Sequence, residues 1–268
     1  MSGTRPSKRE RDLFGNEPPE GYEDWSHRKG EPRTLALLWM IFLMAASAWM
    51  FSRLSIAPSV SPSVSRPAAR EMLVFVMVGA CVLYPMLRLA QAIPLPSVTG
   101  AGLRDALVLV IPMQAVLWPN RLVVLGGWNG GVILALAVFG AAWVLIVVGV
   151  CSITLAGAGV SGRPVLVRVI GSLVIVALAL GVPLVELVTR IGAGVDARGA
   201  HLGWMLSPIT GVVELTRDRR ALGVVAEVHA AHIEIIASVA CVGLAMILVG
   251  AAIERAVPLA DRRMSPYA

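Results

Sequence analysis

Long apolar runs alternate along this chain with short polar intervals, and the runs are too long and too free of charge to be single faces of water-soluble helices. The first, near residues 34–51, would be about 27 Å long as a helix, close to the ~30 Å of a bilayer hydrocarbon core. A second run lies near 72–93, where Pro85 predicts a kink and Arg88 is close enough to the end to reach headgroups. The clearest run, near 131–156, has no charged residue between Val132 and Val150. Each Val, Ile, Leu or Phe there contributes roughly −0.3 to −0.6 kcal/mol to insertion at a helix centre. Further spans are expected near 165–188 and 233–253. The run near 103–119 is broken by Pro112 and Gln114 and leaves through Trp118, Pro119, Asn120 and Arg121, so it reads either as a short third span or as a re-entrant pair. The predicted fold class is all-α, a polytopic transmembrane helical bundle of about six spans, with five as the alternative.

The polar intervals divide the chain further. Residues 1–33 are rich in charge and punctuated by Pro18, Pro19, Gly21, Gly30 and Pro32, which predicts a disordered cytoplasmic tail. That tail is too long and too acidic for the n-region of a cleaved signal peptide, so the first run is expected to be a retained signal anchor. Between 52 and 71, Pro58, Pro62 and Pro67 alternate with serines and predict an extended spacer. Ser207 is placed to N-cap a helix with Pro208 at its first position. Leu215, Leu222, Val225 and His232 then suggest an interfacial amphipathic helix near 208–231 that leads into the last span. The transmembrane domain covers 34–254, with a short C-terminal tail at 255–268.

Six spans place both chain ends on one side, whereas five place them on opposite sides. In either scheme Arg28, Lys29 and Arg33 beside the first run favour a cytoplasmic N-terminus. The expected location is the plasma (inner) membrane. The Lys/Arg balance of the loops barely separates the two schemes, and the length of the 103–119 run tips the reading to six.

Composition agrees with a hydrocarbon environment: 57% of the 268 residues are hydrophobic and 15% charged, against about a quarter charged in soluble domains. The formal charge is +6. Acidic and basic side chains cancel within the tail, so the excess arginines stand at the ends of apolar runs, where they meet lipid headgroups. With no basic stripe and interleaved aromatics, no nucleic-acid partner is expected. Cys81, Cys151 and Cys241 each lie inside an apolar run without CxxC pairing, as small hydrophobes.

Motifs of chemistry are sparse. Gly157, Gly159 and Gly162 spell GxGxxG, but they join two spans rather than a strand and a helix, so a turn is expected and not a dinucleotide site. GxSxG, HExxH and Walker A patterns are absent, so neither catalytic residues nor a cofactor is predicted and the chain is read as a non-enzyme. Arg88, Glu186, Glu234 and Glu254 lie near span ends, which leaves Gln114 as the deeper polar candidate for a pathway or a helix contact. Helical geometry places Glu227 and Glu234 on one face and His229 and His232 on the opposite one. His229 and His232 with His201 are the metal candidates, with solvated histidines the expected reading. Ala237, Cys241 and Ala245 recur every fourth position and would allow close helix approach.

The expected partners are the lipid bilayer and either a separate ATPase subunit or a homo-oligomeric partner. The function that fits is a non-catalytic, permease-like subunit of a transport complex. The alternative is a membrane scaffold or assembly protein, with Tyr22 and Trp25 of the tail as recognition anchors. In layout, with Ser207 and Pro208 opening a helix before the last span, the chain is similar to permeases of the ABC-2 export type, without a diagnostic motif.

Overall fold

The computed structural model describes residues 32–56, 61–91, 97–159, 161–190, 201–218 and 225–256. The tail with Tyr22 and Trp25, Leu222, and the stretch after Ala256 lie outside the described residues. Helix α1 runs from Pro32 to Ser55 and α2 from Pro62 to Val78. A π-helical turn, Gly79–Leu83, joins α2 to α3, Tyr84–Ala90. Helix α4 is Val98–Leu117, continued by a 3-10 turn at Trp118–Arg121. Then follow α5 (Gly130–Ala158), α6 (Pro164–Arg190), a 3-10 turn at Leu202–Leu206, α7 (Pro208–Leu215) and α8 (Ala230–Ala256). Among the described residues there is no strand, and six helices are long and apolar enough to cross a membrane.

The interrupted third run is a single continuous helix. Pro112 is accommodated inside α4, and close to it the indole Nε1 of Trp39 donates to the Leu109 carbonyl at 2.9 Å. The proline-rich interval near 52–71 differs from its expected extended path. Helix α1 continues to Ser55 and α2 already starts at Pro62, since a proline at the first helical position has no amide to lose. The π turn stands directly before Pro85, with the Tyr84 amide bonded to the Gly79 carbonyl. The expected amphipathic helix near 208–231 is also corrected. It closes at Leu215, where the Thr216 hydroxyl turns back to the Val212 carbonyl at 2.7 Å. Glu214, Leu215 and Thr216 are buried, so this segment is packed into the bundle and not laid along an interface.

Helix α5 is apolar on every side and takes the centre, as such helices do. Of its most apolar stretch 72% is buried, against 17% for α6. Its main partner is α8, which runs parallel to it and presents His232, Ile236, Val239, Gly243, Ile247 and Gly250. Those spacings are all three or four, the seam of two helices packed along their length. Gly149 of α5 and Gly243 of α8 let the backbones close up. A Cβ on Gly243 would lie 2.9 Å from Leu145 Cβ and 3.0 Å from the Ile146 amide nitrogen.

The helix ends sort into two faces. Arg53 and Trp49, late in α1, reach Glu71 near the start of the second span, at 3.6 and 3.4 Å. Glu254, near the end of α8, accepts from the Val98 and Thr99 amides at 2.8 and 3.0 Å and from the Ser97 hydroxyl at 3.3 Å. A carboxylate there neutralises the positive end of α4. The start of α1, the end of α3, the start of α4 and the end of α8 therefore share one face, the terminal face. Helix α7, the described residues on either side of it, the start of α2 and the turn before α5 form the opposite, hairpin face.

Helix α7 is held by a repair of α6. Pro183 has no amide to offer the Ala179 carbonyl four residues earlier. The buried Ser207 hydroxyl donates to that carbonyl instead, at 2.7 Å, and accepts from the Ile209 amide at 3.3 Å as the cap of α7. Ser207→Ala is expected to cost about 2 kcal/mol, since it orphans a buried carbonyl and removes a cap. A denaturant titration in detergent checks this, and a loss indistinguishable from zero would contradict the repair.

Candidate functional site

Two polar clusters interrupt the apolar bundle, one toward each face. At the terminal end, the extra residue of the π turn sets the phase of α3, so that Tyr84 and Arg88, four apart, both face α4. Arg88 Nε lies 3.0 Å from Asp105 Oδ2, and the Tyr84 hydroxyl donates to the same oxygen at 3.2 Å. All three residues are buried, Arg88 to 6% and Asp105 to 4% exposure. A second nitrogen of Arg88, NH1, donates to Gln91 Oε1 at 3.1 Å. Arg88 therefore does not snorkel to headgroups as its sequence position suggested. Asp105 lies within reach on the neighbouring helix, and a paired guanidinium is cheaper to keep inside than a lone one. Beside it, Arg168 of α6 donates to the Leu89 carbonyl at the end of α3, at 3.2 Å.

At the hairpin end, two arginines of α2, also four apart, hold the segment after α7. Arg66 NH1 pairs with Asp218 Oδ1 at 2.9 Å, and its Nε donates to the Gly126 carbonyl at 3.0 Å. That carbonyl belongs to a turn in which Gly127 has φ +61°, a conformation natural only to glycine. Arg70 donates twice to Thr216, to the hydroxyl at 2.8 Å and the carbonyl at 2.6 Å. Asn129 caps α5 by accepting from the Val132 amide at 2.9 Å, and its Nδ2 reaches the Ala226 carbonyl at 3.5 Å.

Glu214 is the centre of this cluster. Its fully buried carboxylate lies 3.5 Å from Arg217 NH1 and 3.7 Å from His232 Nε2, and it accepts from the His201 amide at 3.3 Å. Rings stack around it, His201 on Trp204 at 5.0 Å and His229 on His232 at 5.5 Å, with the Arg217 guanidinium 5.8 Å from the Trp204 ring centre.

The three histidines named from sequence thus meet in one region, in unequal settings. His232 is buried, His229 is exposed at the mouth of α8, and His201 contributes its backbone amide to Glu214. Among the described residues, no group of three or more His, Cys, Asp or Glu side chains is placed to hold a metal ion. Glu227 and Glu234 are exposed.

Comparison of the chain with protein-family models, with curated proteins and with solved structures finds no match in any of the three. The site must be read from its own chemistry. Gln114 is half-buried on α4. Ala237, Cys241 and Ala245 face outward, while the seam with α5 is made by the other side of α8, so within the chain these residues are not the close-approach surface. Of Glu186 only the backbone, in α6, is described.

Sequence reading missed Asp105, Arg66, Arg70, Glu214 and Asp218. A signal existed for the first. Tyr84 and Arg88 repeat at four in one apolar run and Asp105 lies inside the next, opposite charges in consecutive spans that pair when the hairpin forms. For Arg66 and Arg70 the sign was their spacing, hidden by the expectation of an extended interval.

Proposed function

We propose that this chain is the non-catalytic, permease-like subunit of a transport complex, energised by a separate ATPase subunit. The observation that carries the reading is the Tyr84, Arg88 and Asp105 cluster, a compensated charge pair inside the apolar bundle at a π-helical interruption of a spanning helix. Charge is expensive in hydrocarbon and is kept where a pathway or a moving element needs it, and π turns concentrate at functional positions. The second cluster stands at the opposite end of α5, so opening either end of the bundle breaks a defined set of polar contacts. This suits a pathway that opens to one side at a time. The basic residues beside the first span support a cytoplasmic terminal face, and with the plasma (inner) membrane as the location the ATPase would stand there.

Affinity purification of the full chain from its own membranes tests this. An ATPase subunit in stoichiometric yield, whose ATP hydrolysis is altered by Asp105→Asn while assembly persists, is the expected result. Recovery with an unrelated complex and no ATPase would sink it and favour a scaffold. A homo-oligomeric partner draws support from the outward-facing Ala237, Cys241 and Ala245, since Cys241 is the exposed member of the three free thiols. Oxidative cross-linking in native membranes is then expected to give a Cys241-dependent dimer.

A further inference from the structure

His232 occupies the third position of α8 and does there what a glutamate or glutamine does in a capping box. Its Nδ1 accepts from the backbone amide of His229, the residue that precedes the helix, at 3.1 Å. The His229 carbonyl in turn receives the amides of His232 and Ile233, at 3.0 and 3.4 Å. An imidazole can accept at Nδ1 only while that nitrogen is bare, so the neutral ring carries its proton on Nε2, the atom that faces Glu214 Oε1 at 3.7 Å.

We propose that His232 is a proton-operated latch between α8 and the α7 hairpin. Protonation at Nδ1 turns the acceptor into a donor that meets another donor, the His229 amide, and the cap must open. The same proton makes the ring cationic 3.7 Å from the buried Glu214 carboxylate, which draws the imidazolium toward α7. The first turn of α8 is released and the ring binds Glu214 more tightly, in competition with Arg217. Among the described residues, the groups facing this event are Glu214 of α7, Arg217 just beyond it, His201 before it and His229 at the start of α8. Behind them stand Arg66, Arg70 and Asp218, while α5 brings no ionisable side chain to this end. Acidification of the hairpin face operates the switch. It does not depend on the transport reading or on any cargo.

The test uses the full chain in lipid nanodiscs and residue-resolved amide exchange, corrected for intrinsic rates, between pH 8 and pH 5. In the wild type, protection of the His229, His232 and Ile233 amides is expected to fall about fivefold at pH 5, the size of a lost cap. In His232→Gln, whose amide oxygen accepts as in an ordinary capping box but does not titrate, protection is expected to stay level. His201→Gln and His229→Gln, which leave the His232 ring and the His229 backbone amide in place, are expected to respond as the wild type does. A level wild type, or a His232→Gln variant that responds like the wild type, would overturn the latch. Should His232→Gln fail to fold, the imidazole nitrogen resonances of the wild type decide, and an Nδ1–H tautomer at pH 8 would overturn it as well.

Discussion

Replacing Asp105 by leucine is expected to destabilise the protein by about 3 kcal/mol, the price of one uncompensated buried charge near the end of a spanning helix. Arg88 would lose the carboxylate at 3.0 Å and, among the described residues, keep Gln91 as its side-chain partner, while the Tyr84 hydroxyl would lose its acceptor. Replacing both members, as Arg88→Met with Asp105→Leu, removes the stranded charge, so most of the loss should return. The sign of this difference separates two accounts of the pair. If it supplied net stability, the double variant would be less stable than the wild type. If it is tolerated for function, the double variant folds well and is impaired in any coupled activity. Unfolding titrations in mixed micelles, set out as a double-mutant cycle, give the coupling directly. A coupling near zero would mean that the two charges do not interact in the membrane.

Gly243→Ile is expected to be at least as severe. Its Cβ would press on Leu145 Cβ and on the backbone of Ile146, and a backbone that is itself helical cannot step aside. Gly149 meets the same limit, with Met246 Cβ at 2.6 Å and the Ile247 amide nitrogen at 3.2 Å from its would-be Cβ. The gain in helix propensity on losing a glycine is about 1 kcal/mol at most. Overpacking of a tight seam costs about 1–3 kcal/mol and more when a branched side chain is forced in, so the clash wins. Ala245→Ile, two residues further and on the exposed side, is the control and is expected to change folding by less than about 0.5 kcal/mol. Equal losses at 243 and 245 would show that the wrong face of α8 has been assigned to the seam.

The same contrast separates two rows of small residues on α8. Ala237, Cys241 and Ala245 and the inward Gly243 and Gly250 are both small-residue rows on one helix, and periodicity alone cannot say which row faces α5. Arg88 misled for a related reason. Its distance from the end of the run permitted an escape to headgroups, and only the position of Asp105 on another helix decided against it. In the interval near 52–71, Pro62 was read as a sign of an extended chain, although proline is equally at home at the first position of a helix, and Pro67 stands inside the same helix. The helix near 208–231 was extended too far because Thr216 and Asp218 are engaged by Arg70 and Arg66, some 150 positions earlier in the chain.

What the sequence by itself determined is the set of six long apolar helices and their compatibility with a multi-pass membrane protein. That information is local, because crossing hydrocarbon requires an uninterrupted apolar length and internally satisfied backbone bonds, both written in consecutive residues. Which face of each helix is inside, where α7 stops, and how Arg88 finds Asp105 and Glu214 finds His232 were decided only by the tertiary structure. These are relations between residues far apart in the chain. A side chain that is costly alone in the bilayer becomes tolerable only when another helix brings its partner.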